Sequence, residues 1–239
     1  MARKFPNSRS ILLDCERRCN LRCLFDDADA PPPGDGPIPS VKREDCEPGE
    51  GIFRTGDRSE AIVVIRFGLV KLVDYSPTGS ERILLLAGRG NAIGLDALLN
   101  KPMRHDAVSI RPTSICRIPV RSLEQLAATR PDLHLRLMSF WQDSLAFAEQ
   151  SLSGFSCGPT PARIARLILF RAAIEKSRKT DEITLLHRQD MAAILGVSPE
   201  NISRAIAKLK REKSLRKLKR DVYQCNLARM RELATGSCE

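Results

Sequence analysis

The stretch Arg188–Arg211, RQDMAAILGVSPENISRAIAKLKR, decides the architecture of this chain, because it reads as two short helices joined by a tight turn. In the first helix Met191, Ala192, Ile194 and Leu195 share an inward face. Gly196 follows where a helix end needs a residue that tolerates positive φ. Ser198 stands at an N-cap position, and Pro199 takes the first helical position, whose N–H has no partner to lose. Ile202, Ile206 and Leu209 then recur at helical spacing, so a second helix runs on from Pro199. Its inward stripe leaves Glu200, Asn201, Ser203, Arg204, Lys208 and Arg211 facing out. Residue types able to read base edges are concentrated in the first turns, the part of a recognition helix that enters a major groove. The pattern predicts a helix-turn-helix on double-stranded DNA rather than a helical hairpin with a solvated charged face.

Charge points the same way. Of the net +10 on the 239 residues, +9 falls after Gly158, and between Lys208 and Arg220 eight basic residues face one acid, Glu212. That density suits a surface that neutralises phosphates and releases counterions, so DNA binding is expected to be strongly salt-dependent. Leu215–Cys225 reads as two short strands turning near Arg220–Asp221, a wing whose Lys217, Lys219 and Arg220 lie along the phosphate backbone.

Outward from this motif the chain changes character. Between Gly49 and Val120 it reads as short strands punctuated by Gly56, Gly68, Gly79, Gly88, Gly90 and Gly94, the rhythm of a small antiparallel barrel or jelly roll. After Pro131, Met138, Trp141, Leu145, Ala148, Leu152 and Phe155 alternate by three and four, the seam of a coiled coil, which predicts a helix that pairs with its twin in a homodimer. Pro159 and Pro161 break that pattern before another amphipathic helix, whose Ile164, Leu167, Ile168 and Ile174 pack the DNA-binding domain. The expected class is α+β in four segments: a Cys-rich segment and Pro-rich linker (1–40), a cupin-like jelly-roll barrel (41–130), a dimerisation helix (131–158) and a winged helix-turn-helix (159–239).

No apolar run approaches the roughly 20 residues needed to span a bilayer, and MARKFPNSRSILLD lacks a long apolar core or cleavage site. A cytoplasmic protein without membrane contact is expected. Its eight cysteines are then thiols or metal ligands rather than a disulfide framework. In LLDCERRCNLRCLFDD, Cys15, Cys19 and Cys23 repeat every four residues, so one helix or compact loop brings three sulfurs to one side, an arrangement that invites a metal. Zinc is one reading, though the paired knuckles of structural zinc sites are missing. A thiol–disulfide switch is another, with Arg17, Arg18 and Arg22 lowering thiol pKa values and Cys46 as resolving partner or substitute ligand. Cys157, Cys225 and Cys238 have no partner spacing and read as buried or incidental thiols. C-x3-C-x3-C is one residue longer than a radical SAM loop, no β/α alternation is present, and His105, His134 and His187 lack ligand spacing, so an enzyme is not expected.

From about Cys46 onward the chain resembles the CRP/FNR family of bacterial transcription regulators. Two motifs carry the resemblance: GLVKLVDYSPTGSERILLLAGRGNAIGLDAL (Gly68–Leu98) is similar to the family's barrel core, and LGVSPENISRAIAKL (Leu195–Leu209) to its recognition helix. The FNR branch reads its operator with E-x-x-S-R, a pattern in which Glu200, Ser203 and Arg204 stand, and this implies a palindrome of TTGAT-type half-sites, with RNA polymerase as a further partner. Arg204 suits guanine O6/N7, Glu200 suits cytosine N4, and Ser203 a shorter contact. Cys116, in PTSICRIP, sits where that branch keeps the barrel cysteine completing a [4Fe-4S] cluster, which implies Cys15, Cys19, Cys23 and Cys116 as ligands of a sensor for oxygen, NO or another oxidant. The N-terminal spacing departs from the branch's, which is nearer C-x2-C-x5-C. The cAMP-binding branch holds its ligand with an acidic residue after a glycine and a later Arg-Ser pair; here Gly94-Leu95-Asp96 and Met103-Arg104-His105-Asp106 depart from both. A signal other than a cyclic nucleotide is expected, with thiol oxidation, zinc or another small barrel ligand as alternatives to the cluster.

Overall fold

The computed structural model describes residues 41–77, 79–175 and 182–235. Cys15, Cys19, Cys23, Cys238 and the Pro-rich linker lie outside the described residues, as does the side chain of Ile174.

Eight strands form the first half: β1 (Lys42–Cys46), β2 (Gly51–Phe53), β3 (Ala61–Phe67), β4 (Val70–Tyr75), β5 (Glu81–Ala87), β6 (Ala92–Ile93), β7 (Asp106–Ser109) and β8 (Thr113–Pro119), with a 3₁₀ turn at Leu95–Leu99. They make two antiparallel four-stranded sheets, β1-β8-β3-β6 and β2-β7-β4-β5, the jelly roll expected from the glycine-punctuated strands. β3 reads AIVVIRF without polar alternation because both its faces are covered. Val63 and Ile65 point between the sheets, against Val70, Ala87, Ala107 and Ile115. Ile62 and Val64 point the other way, into a cluster closed by Leu123, Leu126, Leu133 and Phe140.

Those four belong to α1 (Val120–Thr129) and α2 (Leu133–Ser153). α1 was not anticipated, since VRSLEQLAAT directly follows a strand with no polar break. α2 ends earlier than the expected 131–158 span. It buries Leu133, Phe140 and Phe147, spaced by seven residues, while Leu135, Met138, Trp141, Leu145 and Leu152 stay exposed at 41–77%. Phe155 departs from the predicted seam: it lies beyond the helix, fully buried, with its ring 5.9 Å from Phe147 and 5.8 Å from Phe170 in edge-to-face contacts. Three aromatic rings pack better together than one on a wet stripe.

The second half comprises α3 (Thr160–Glu175), β9 (Glu182–Thr184), α4 (Arg188–Leu195), α5 (Pro199–Arg211), β10 (Leu215–Lys217), β11 (Val222–Cys225) and α6 (Leu227–Ala234). Its core is not closed on itself. One apolar cluster runs from Leu69, Val73, Ile83 and Leu86 of the barrel through Phe147 and Phe155 to Ile164, Ile168, Ile194, Leu195 and Ile202. No helix among the described residues is long and apolar enough to cross a membrane.

Candidate nucleic-acid interface

The turn between α4 and α5 is built as its sequence dictates. Gly196 sits at φ 61°, and its N–H donates to the Ala192 carbonyl at 2.8 Å. Ser198 caps α5, its hydroxyl accepting the Asn201 N–H at 3.3 Å, with Pro199 in the first turn. Ile202, Ala205, Ile206 and Leu209 are buried against α3, α4 and the wing, which turns the opposite face outward. On that face Glu200, Arg204, Lys208 and Arg211 are exposed, and Asn201 and Ser203 are half-buried.

Two expected readers already have partners within the helix. Arg204 Nη2 donates to Asn201 Oδ1 at 2.7 Å, and the Ser203 hydroxyl donates to the Pro199 carbonyl at 2.9 Å. Arg204 keeps further N–H donors, and Ser203 keeps its oxygen as an acceptor. The Glu200 carboxyl is held below its ordinary range by its own backbone N–H, then by the Ser198 hydroxyl and the Arg204 guanidinium, so it stays an anionic acceptor.

The wing is a three-stranded sheet, β10-β11-β9, one strand more than the sequence suggested. Leu215 pairs with Cys225 and Lys217 with Tyr223, while Tyr223 also pairs with Ile183 of β9. β9 is three residues long, too short to register as a period-2 pattern. Lys217, Lys219 and Arg220 are exposed at the tip, and Lys210, Lys213, Arg216 and Lys217 line one open groove between the end of α5 and the wing. Two arginines of α3 tie this half together. Arg166 donates to the carbonyls of Gly154, Cys157 and Ala234 at 2.7–2.8 Å, and Arg163 donates to those of Phe155 and Leu195. The reading of the sequence missed both, because an arginine in an amphipathic helix normally reads as surface.

The α2 stripe of Met138, Trp141, Leu145, Ala148 and Leu152 is exposed in the single chain, and Leu135 extends it by one turn at 72% exposure. Beside it a cavity of about 540 Å³ opens between α2 and the barrel, lined by Arg82, Ile83, Leu85, His105, Trp141 and Leu145. Arg104 also reaches it, but its Nε donates to Asp96 Oδ1 at 2.9 Å, so the guanidinium that a cyclic phosphate would need is already matched by a carboxylate.

Cys116 lies on β8 at 2% exposure, in the apolar cluster with Ile62, Val64, Ile118, Leu123 and Leu126. In register Arg43 stands opposite Cys116, and Cys46 opposite Thr113, three residues along β8. An odd spacing puts the two thiols on opposite faces of the sheet. The Cys46 thiol is also pushed up, by burial first and then by Glu50 and Glu44, away from a reactive thiolate. Cys157 is disulfide-bonded, which corrects its reading as an incidental thiol. Among the described residues no three His, Cys, Asp or Glu side chains converge on a metal.

Residues 43–130 match the cyclic nucleotide-binding domain, and residues 162–233 match the Crp-like helix-turn-helix domain. The chain belongs to the CRP/FNR family of transcription regulators. Within that family it is 25% identical to the transcriptional activator protein Anr of Pseudomonas protegens, over 80% of each chain. It is 23% identical to the fumarate and nitrate reduction regulatory protein of Vibrio cholerae, over 83% of this chain and 80% of that one. FixK2 from Bradyrhizobium japonicum shares the fold with a TM-score of 0.73 at 20% identity, covering 83% of this chain and 99% of that one. These relatives are regulators rather than enzymes, and the family assignment makes this chain a DNA-binding transcription regulator with an α+β fold.

Proposed function

We propose that the chain acts in the cytoplasm as a homodimer on a palindromic operator with TTGAT-type half-sites, with RNA polymerase as its further partner. The supporting observation is the outward face of α5, where Glu200, Ser203 and Arg204 stand in E-x-x-S-R spacing beside a basic wing. Arg204 donates to guanine, Glu200 accepts from cytosine, Ser203 and Asn201 make shorter contacts, and Lys208 and Lys217 neutralise phosphates. Met138, Trp141, Leu145, Ala148 and Leu152 form the two-fold contact along α2. The working units are residues 1–40, 41–130, 131–158 and 159–239, in the order sensor segment, barrel, dimer helix and DNA reader.

The signal in this reading is redox. Cys15, Cys19, Cys23 and Cys116 hold a [4Fe-4S] cluster, a group that would make DNA binding depend on oxygen, NO or another oxidant. One observation supports the fourth ligand: β1, the strand that follows the Cys-rich segment in the sequence, pairs with β8 at Arg43–Cys116. The 18 residues between Cys23 and Lys42 span up to about 60 Å when extended, ample for the approach. The names of the relatives, an Anr protein and fumarate and nitrate reduction regulators, agree with a regulator of anaerobic metabolism. By linkage, the form that holds the cluster must differ in DNA affinity from the form that lacks it, and the family resemblance assigns the tighter binding to the cluster-bearing form.

Purification without oxygen, followed by iron and acid-labile sulfide analysis and visible spectroscopy before and after air, tests the sensor. About four iron and four sulfide per chain, with a band that bleaches in air, is the expected result. A colourless protein would retire the cluster and move the signal to thiol chemistry or a barrel ligand, leaving the DNA reader in place.

A further inference from the structure

Lys71 is a charged residue near the start of β4, yet its side chain is only 13% exposed. Its Nζ lies 2.6 Å from Glu81 Oε1 on β5 and 2.7 Å from Asp190 Oδ1 on α4. The Asp190 side chain is buried to a similar degree, at 10%, and Glu81 is the more open partner at 30%. Burial alone would pull the ammonium's pKa down, but the hydrogen bonds it donates to both carboxylates, with their negative charge, outweigh burial and hold the pKa above its ordinary value. The lysine is therefore charged and donates to one partner in the barrel and one in the helix-turn-helix.

The position of Asp190 gives this cluster its consequence. It sits in the first turn of α4, the helix whose last turn, through Gly196, delivers the recognition helix α5. Around the ion pair the contact is apolar: Val73, Ile83 and Leu86 of the barrel share one cluster with Ile194 and Leu195 of α4. Apolar packing tolerates sliding, whereas a two-carboxylate cage around one ammonium fixes a single relative placement. We propose that Lys71, Glu81 and Asp190 form a latch that locks α4 onto the β4–β5 hairpin and thereby sets the orientation of the recognition helix directly from the barrel. This route is separate from α2, and it rests on the reading of α5 as the DNA-contacting helix.

The test uses the full-length chain and two readouts. In amide hydrogen exchange of the free protein, Lys71→Met and Asp190→Asn should each speed exchange across Arg188–Leu195 on the order of tenfold, because the first leaves the buried Asp190 carboxylate without its ammonium and the second removes the charged link from the barrel to α4. Exchange in β3 should not change. The double variant should cost no more than the worse single, the signature of residues that act through one contact. DNA affinity on a fixed duplex should fall in the same order. Unchanged α4 exchange in both singles, or a double variant equal to the product of the singles, overturns the latch. If the buried variants destabilise the whole chain, Glu81→Gln gives the milder version: α4 exchange should rise with β3 unchanged, and no rise overturns the proposal. Exchange needs no DNA, so a wild-type chain that ignores TTGAT half-sites counts against the operator reading alone.

Discussion

Gly68 and Gly196 both hold positive φ, 108° and 61°, but for different reasons. A Cβ at Gly68 would lie 2.3 Å from Thr113 Oγ1 and 2.6 Å from the Thr113 Cα, so backbone would have to move. At Gly196 the same atom meets nothing within 4 Å, and only the left-handed conformation resists substitution. Gly196→Ala should therefore cost about 1 kcal/mol, and Gly68→Ala clearly more, in denaturant unfolding; equal losses would remove the steric argument at Gly68. Arg204→Ala should weaken binding to a cognate duplex by about 1–3 kcal/mol and relax discrimination at one base pair. Equal weakening on random DNA would reject Arg204 as a base reader. Cys116→Ser should abolish iron retention and the response to air, and a variant that keeps both would dismiss Cys116 as a ligand. The spacing of residues in α5 was enough to show which side chains face out. It did not show that Arg204 and Asn201 bond to each other or that Ser203 bonds back to Pro199, since those bonds depend on rotamers and not on order in the chain.

The stripe on α2 was legible at the scale of an element because a helix that buries Leu133, Phe140 and Phe147 must present its other side somewhere. On the proposed homodimer reading, Leu145→Lys should give a monomer where the unsubstituted chain sediments as a dimer at micromolar concentration, and an unchanged sedimentation coefficient would displace the dimer seam from this face. The seam's end was misplaced because Phe155 continues the spacing after the helix has stopped at Ser153; three- and four-residue periodicity cannot tell a stripe that meets a twin from a ring that turns inward. The wing shows the same limit, since β9 is supplied by residues some thirty positions upstream of β10, and only pairing reveals it. On the wing, Lys217→Ala should weaken binding to all sequences alike and reduce the slope of log affinity against log salt by about 1. Sequence-selective loss would make Lys217 a base reader instead.

Over the whole molecule, charge is divided before any fold is known: +9 of the net +10 lies after Gly158, where the DNA reader is. That division, the two periodicities of 2 and of 3 to 4 residues, the caps around Gly196 and Ser198, and the cysteine spacing are properties of order along the chain. They determined the class of the fold, the order of its parts and the face of α5 that turns outward, because local conformation and solvent exposure follow from neighbours a few residues away. Tertiary structure decided what joins distant residues. It set Cys46 and Cys116 on opposite faces of one sheet, merged the barrel and the helix-turn-helix into a single apolar cluster, and matched Arg104 with Asp96. It also brought Lys71 to Asp190, 119 positions away. Such contacts are fixed by the packing of whole elements, so nothing within a window of the sequence carries them.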